Sequence, residues 1–488
     1  MQEIHFFILL TTLVTYSWAD VNQNKFPLCK ICACTVDNNE TTANVTCVKP
    51  IEYEIFSDYF WFSNATNTSI AYNSITINYN KFIDFNKVFP TSNLTYLNLA
   101  NNNIFNISDS IFKNLQNMVV LILSYNDLEI IHPDAFRGLY LEESLMPLRS
   151  LKELRLDHNK LHSLNQDIFE HTTNIEILDL SFNPLDVIDH HTLLAIDNLI
   201  YLKELYLQYT MISGLPDYLL HTPKYIRVLD LSGNQGITKI PQTLSDAKKL
   251  ERLFLNNTGF TNLTKENGFP LMPNLKVLHL CRNEHLHVID RYALCGLGNL
   301  TELIMSDNID LVTIADLAFA CRSEVGGGVV YPPIKKLHIG NNKLAYLDSE
   351  IIARWDGLSE LDIRENPWTC ECENQWLIDD LMPIYLKIDE TMAKQVTCAA
   401  PVEMKSLTFY DIYMKKSHMR CLDIYGHRPE RDGILLVGLL TGLLIAIPAI
   451  LLIIFAYQKR WFSIIGVFDK SPASYSRRFY STSPTEDF

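Results

Sequence analysis

One spacing recurs along most of this chain and limits what it can fold into: L-x-x-L-x-L-x-x-N-x-L. It reads as Leu94-Leu97-Leu99-Asn102-Ile104 and again as Met118-Leu121-Leu123-Asn126-Leu128. Leu151-Leu154-Leu156-Asn159-Leu161, Ile175-Leu178-Leu180-Asn183-Leu185 and Ile334-Leu337-Ile339-Asn342-Leu344 repeat it. Tyr72-Ile75-Ile77-Asn80-Phe82 opens the series and Leu358-Leu361-Ile363-Asn366 closes it. Weaker copies start at 202, 226, 250, 275 and 300, which makes twelve, mostly 22 to 27 residues apart. A period of that length means stacked units, none of which buries its own apolar face without neighbours.

Each copy predicts a short strand. Side chains alternate across a strand, so the fourth and sixth positions point inward and their neighbours outward. The Asn at the ninth position is placed to hydrogen-bond backbone groups of the buried turn, each of which would cost roughly 1–3 kcal/mol if left unpaired. Phe112, Phe136, Phe169 and Phe319 recur on the return path as a core-filling position. Thr210 and Thr258 stand where the Asn is expected, and a hydroxyl serves less completely. Three copies read N-x-x-L, at Asn234 to Ile237, Asn283 to Leu286 and Asn308 to Leu311, and predict a one-residue bulge. Two repeats are longer by about nine residues, within 139–150 and 322–333; the second holds Gly326-Gly327-Gly328 and Pro332-Pro333 and reads as an exposed loop on the rim.

The eleven cysteines fall in two clusters that flank the array, plus three within it at Cys281, Cys295 and Cys321. Such clusters read as disulfide-stapled caps made in an oxidising compartment, with a zinc site as the alternative. Cys29-x2-Cys32-x-Cys34-x12-Cys47 covers the front end. Asn366-Pro367-Trp368-Thr369-Cys370-Glu371-Cys372 runs straight out of the last repeat, with Cys398 and Cys421 beyond. Cys295 and Cys321 occupy nearly the same phase of adjacent repeats, which predicts a bond at the base of the Gly-rich insertion and leaves Cys281 as a free, half-buried thiol.

With its caps, the array resembles the extracellular leucine-rich-repeat proteins of the Slit, Nogo-receptor and trophoblast-glycoprotein kind, over roughly residues 29–421. The resemblance implies an α/β-type repeat solenoid, a curved horseshoe with a parallel concave sheet and disulfide caps. It also implies the pairings Cys29–Cys34, Cys32–Cys47, Cys370–Cys398 and Cys372–Cys421.

Targeting signals agree with an outer location. An apolar run over 6–14 followed by Ser17-Trp18-Ala19 suits a signal peptide cleaved after Ala19. Residues 434–457 form an uncharged apolar stretch of 24, enough for about 30 Å of hydrocarbon, and Lys459-Arg460 follow at once, which places the C-terminal side in the cytoplasm. Nine N-x-S/T sequons lie before that stretch. Asn39, Asn44, Asn64, Asn67, Asn93, Asn106, Asn262 and Asn299 are the expected glycosylation sites; Asn256, on an outward strand position, is expected either to stay unmodified or to leave the ligand to the front half and a rim loop. The expected domains are a signal peptide (1–19), an N-terminal cap (20–71), repeats (72–369) and a C-terminal cap (370–421). A stalk (422–433), a transmembrane helix (434–457) and a cytoplasmic tail (458–488) follow.

Function is read from what the pattern leaves outward. Residues 458–488 carry a net charge of +2, so the remainder carries −17 of the total −15, which argues against a nucleic-acid partner. No nucleophile elbow, phosphate-cradling Gly loop or zinc-protease helix occurs, so neither an enzyme nor a cofactor is expected. His279, His285 and His287 are close in sequence but fall at positions facing different ways, so no metal site is expected either. Outward aromatic residues stand out: Tyr125, Phe182, Tyr206, Tyr209 and Phe254, with Tyr79 and Tyr96 nearer the front. Charged outward residues join them, Arg155 among them. Two readings stay open for the aromatics, a ligand-binding hot spot and a self-packed stabilising ladder. The chain is read as a plasma-membrane receptor or adhesion protein for an extracellular or cell-surface protein ligand, or as a co-receptor modulating an extracellular signal. The alternatives are an innate immune recognition receptor without its own signalling domain and a shed matrix protein. Gly438 and Gly442 admit a homodimer through the membrane helix, and the short tail a cytoplasmic adaptor.

Overall fold

The computed structural model describes residues 25–39, 41–48, 56–62, 69–82, 84–141, 144–323, 327–417, 419 and 429–458. The signal peptide, Asn64, Asn67, Cys421 and the tail beyond 458 lie outside them. The chain separates into two units, Met1–His418 and Met419–Phe488.

The first unit is a solenoid. Its main sheet has fourteen strands, which we number β1 (Ala33–Val36), β2 (Ala43–Cys47), β3 (Tyr72–Ile77), β4 (Tyr96–Asn98), β5 (Val120–Ile122), β6 (Glu153–Arg155) and β7 (Ile177–Asp179). β8 (Glu204–Tyr206), β9 (Val228–Asp230), β10 (Arg252–Phe254), β11 (Val277–His279), β12 (Glu302–Ile304), β13 (Lys336–His338) and β14 (Glu360–Asp362) complete it. From β2 onward every pairing is parallel. The register sets one Leu of each repeat beside the next: Leu154, Leu178, Leu205, Leu229, Leu253 and Leu278 follow one another and all are buried. Truncating any of them to Ala removes packing on both sides and costs about 2–5 kcal/mol.

The sheet is two strands longer than the twelve repeats. The N-terminal cap supplies the β1–β2 hairpin, and β2 pairs with β3 because Ala43, Val45 and Cys47 are buried while Asn44 and Thr46 point out. Cys29–Cys34 and Cys32–Cys47 bonds hold this cap. At the other end Trp368 is buried, its Nε1 donates to Ile363 O (2.9 Å), and Cys370 is bonded to Cys398. Cys372 is also disulfide-bonded, and Cys421, the partner the resemblance implies, is outside the described residues.

Asparagines connect the repeats below the sheet. The side-chain amide of Asn159 donates to Leu123 O (3.0 Å) in the preceding repeat and to Leu156 O (2.9 Å) in its own, while its Oδ1 accepts from Leu128 N–H (3.1 Å). Asn102, Asn126, Asn183, Asn342 and Asn366 also bridge their own and the preceding repeat. The single hydroxyl proton of Thr210 lies between Leu207 O (2.9 Å) and Asn234 Oδ1 (3.2 Å), and that of Thr258 between Asn283 Oδ1 (2.7 Å) and Leu255 O (3.2 Å). At N-x-x-L the extra residue is absorbed in a turn, in which the N–H of Ile237, Leu286 or Leu311 donates to the carbonyl of Asn234, Asn283 or Asn308.

On the return path Phe89, Phe112, Phe136 and Phe169 stack at 5.8, 6.0 and 6.5 Å between centroids; Phe319 is buried further along. The two insertions are antiparallel hairpins rather than irregular loops: Leu139–Leu141 with Ser144–Met146, and Cys321–Arg322 with Val329–Val330. Both enter between the return path and the next strand. A Cys295–Cys321 bond ties down the second. In the other unit a helix, Pro429–Gln458, contains a stretch, Leu436–Phe455, of mean hydropathy 2.8 that none of the described residues covers. Its 20 residues reach about 30 Å, enough to cross a bilayer.

Candidate functional site

The residue just before each ladder Asn or Thr adopts a left-handed backbone, an arrangement the repeat pattern alone does not announce. Tyr79, Asn101, Tyr125, His158, Phe182, Tyr209, Asn257, Arg282, Asp307, Asn341 and Glu365 have φ between 51° and 64°, and Gly233 has φ 79°. Such geometry costs a non-glycine residue roughly 1–2 kcal/mol. Backbone bonds to the next repeat hold it: Tyr125 N–H donates to Asp157 O, His158 to Ser181 O, Phe182 to Gln208 O and Tyr209 to Ser232 O. Because every turn is alike, these side chains form a row along the C-terminal edge of the strands.

In the middle repeats that row is aromatic. Tyr125 stacks on His158 (3.9 Å between centroids), His158 on Phe182 (4.1 Å) and Phe182 on Tyr209 (4.8 Å), with interplanar angles of 14° to 18°. The row ends at Gly233: a Cβ there would lie 2.5 Å from Tyr209 Cγ and Cδ1, so the missing side chain makes room for the ring. Tyr209 Oη spans the gap and accepts a long bond from Asn257 Nδ2 (3.4 Å). The rings pack on one another, yet their outer edges stay open: Tyr125 is 50% exposed and Tyr209 45%. The rings thus form a stacked ladder whose outer edges stay exposed. His158, which aromatic content alone does not single out, sits inside it with Nδ1 2.9 Å from Asp157 Oδ2.

A second row runs across the last residues of the strands in register: Arg155, Asp179, Tyr206, Asp230, Phe254 and His279. It places Arg155, Tyr206 and Phe254 together, apart from Tyr125, Phe182 and Tyr209. Arg155 bonds Glu153 (2.5 Å) and lies 3.6 Å from Asp179. Burial opposes its charge, but the bond to Glu153 and the charges of Glu153, Asp179 and Asp157 hold its pKa above the ordinary guanidinium value. Burial pushes the Asp179 carboxyl up, two bonds from Ser181 work against this, and Asp157 adds to the rise. Burial also raises the Tyr206 phenol, as does its bond to Glu204 Oε2 (2.7 Å), so the hydroxyl remains a donor. Phe254 meets His279 edge to face at 4.8 Å. Tyr79 and Tyr96 lie in the first two repeats, outside the ring stack.

His279 bonds Glu302 (3.1 Å) and His287 bonds Asp310 O (3.0 Å), so these two histidines engage different surroundings. Ligand atoms of Asp109, His132 and Asp134 lie within 4.8 Å of one another on largely exposed side chains, but His132 Nδ1 accepts Asp134 N–H, an ordinary turn bond. Asn39, Asn44, Asn93, Asn262 and Asn299 are exposed and Asn106 is half-buried. Asn256 uses Oδ1 to accept Cys281 N–H (2.8 Å). Cys281 is in no disulfide and half-buried, its Sγ–H donates to Ile304 O (3.6 Å), and burial raises its thiol pKa.

Residues 92–143, 149–203 and 248–309 match the leucine rich repeat family model. CD180 antigen of Mus musculus is 23% identical over 332 residues, 67% of this chain and 43% of that protein. Transforming growth factor beta activator LRRC33 of Danio rerio is 28% identical over 194 residues (39% and 27%), and Tsukushi of Gallus gallus 30% over 218 (44% and 54%). The chain thus spans about half or less of the length of these relatives. Among solved structures, a chain of the Drosophila Toll–Spatzle complex aligns with 73% of this chain and 56% of its own length at 19% identity and TM-score 0.46. A chain of the octameric Latrophilin 3, Unc5D and FLRT2 complex aligns with 77% and 96% at 19% identity and TM-score 0.45. The repeating unit of this solenoid is a leucine-rich repeat.

Proposed function

We propose that this chain is a cell-surface leucine-rich-repeat receptor, adhesion protein or co-receptor that binds an extracellular protein through the sheet face of β5–β10. The observation that carries the reading is the open-edged stack Tyr125–His158–Phe182–Tyr209 beside the Arg155–Tyr206–Phe254 row. Rigid, partly exposed rings give large contact area at low entropic cost, as binding hot spots require. Between Asn106 and Asn256 no sequon occurs, so N-linked sugar leaves these repeats open. The apolar helix anchors the chain, with the solenoid outside and the C-terminus in the cytoplasm. LRRC33, one of the relatives, is named an activator of transforming growth factor beta, and a co-receptor role of that general kind fits a solenoid beside a membrane-spanning helix. The test is a binding screen of full-length chain on cells against purified secreted and cell-surface proteins. Any ligand found is then compared on wild type and on Phe182→Ala/Tyr209→Ala. Loss of binding at unchanged surface level supports the reading; unchanged binding refutes it.

A further inference from the structure

We propose that the face formed by β6–β9 receives a partner segment carrying two basic side chains, Arg or Lys, about 10 Å apart beside an apolar or aromatic residue. This rests on the sheet-face reading above and specifies its partner. The outward positions of these four strands and their turns hold five carboxylates: Glu153, Asp157, Asp179, Glu204 and Asp230. Against them stands one guanidinium, Arg155. The basic residues of the same repeats lie mostly at the opposite, N-terminal edge, where Lys152 and Lys203 are both spent on Glu176 (3.0 and 2.5 Å) and Arg227 is exposed. Arg252 begins on the next strand.

Asp179 and Asp230 are 8% and 7% exposed, and their carboxylates are aligned by Ser181 N–H (3.0 Å) and Ser232 N–H (2.9 Å). The second oxygen of Asp230 accepts from Gln208, and Glu204 accepts from Tyr206 Oη. Among the described residues neither Glu204 nor Asp230 has an ion-pair partner. Three aligned carboxylates surround one Tyr, with Arg155 at one end and Arg252 on the strand beyond the other, so the four strands carry five carboxylates against one guanidinium of their own. Burial and the nearby Asp157 raise the Asp179 pKa, so the ionised face stands at a cost that an arriving cation offsets and a neutral or anionic partner does not.

The geometry sets the spacing. Asp179 and Asp230 are in register on β7 and β9, two strands apart, which is about 10 Å at roughly 4.8 Å per strand. Tyr206 lies between them, and Phe182 and Tyr209 border them on one side. Two long basic side chains would straddle Tyr206 while an apolar neighbour meets the ring edges. A second copy of this chain is a poor occupant, because everything before residue 458 carries −17. Sulfated sugar is disfavoured by the same charge.

The experiment pans a random 12-residue peptide phage library on full-length chain in nanodiscs. The targets are wild type, Glu204→Gln/Asp230→Asn, and the charge-matched control Glu284→Gln/Glu390→Gln; circular dichroism melts confirm that each folds. Wild type and control are expected to enrich peptides with at least two Lys or Arg. The lead synthetic peptide should bind Glu204→Gln/Asp230→Asn roughly tenfold more weakly, with affinity falling as salt rises and no competition from heparin. Enrichment of neutral or acidic peptides, equal retention by Glu204→Gln/Asp230→Asn, competition by heparin, or no enrichment overturns the proposal. If neutral peptides are enriched and lost on Phe182→Ala/Tyr209→Ala, the sheet-face reading stands while the basic partner falls.

Discussion

Gly233→Ala tests whether the aromatic row is a coupled unit that ends where a side chain is missing. The substitution has two costs. Alanine at φ 79° costs about 1 kcal/mol in backbone strain. The new Cβ would also stand 2.5 Å from Tyr209 Cγ and Cδ1. These atoms are near the root of the side chain, so the whole ring must swing away. It then loses its stacking on Phe182 at 4.8 Å, worth about 0.5–1.5 kcal/mol, and its long bond from Asn257. The expected total is roughly 2–3 kcal/mol. In a Tyr209→Ala background the ring is already gone, and Gly233→Ala should cost only about 1 kcal/mol. Urea unfolding of the four proteins of this double-mutant cycle measures the difference as a coupling of about 1–2 kcal/mol. Equal cost of Gly233→Ala in both backgrounds would refute the steric account of the row's end.

Asp179→Asn should raise the melting temperature at pH 7. Burial lifts the native carboxyl pKa above its unfolded value, so the native state binds the proton more readily and this group's penalty fades as pH falls; a lower melting temperature for Asp179→Asn at pH 7 contradicts this. Cys321→Ser opens a bond spanning 26 residues and should cost roughly 3 kcal/mol, with faster proteolytic cutting at the Cys321–Arg322/Val329–Val330 hairpin; unchanged cutting and melting would count against the staple. Asn256 should be free of glycan by glycopeptide mass spectrometry, and full occupancy together with a ligand footprint over Phe254 would contradict the binding face.

The inward Leu positions and the ladder Asn were legible because burial and turn geometry repeat every two dozen residues, and each repeat reinforces the signal of the next. The binding face was legible in pieces. Tyr125, Phe182 and Tyr209 share one position in the period, but so do His158 and Gly233, which aromatic content alone does not pick out; aligning the residue before each Asn would have found both. The separation of Tyr206 and Phe254 into another row follows from the same count, since they are the last residues of their strands rather than part of the turn. The two hairpins were less visible. Their pairing depends on short segments such as Val329–Val330 meeting Cys321–Arg322, which have no periodic pattern of their own. Likewise β2 joins the sheet through only three buried residues, Ala43, Val45 and Cys47, too short a run to stand out beside its cysteines.

The most direct test of the account is photo-crosslinking from the intact chain on cells. A benzophenone side chain replaces Tyr209 in one protein and Glu170, on the exposed return path two repeats earlier, in the other. After irradiation with the ligand identified by screening, the account predicts a covalent ligand adduct from position 209 and none from position 170. An adduct from position 170 alone would show that the ligand docks away from the sheet face and would contradict the central claim.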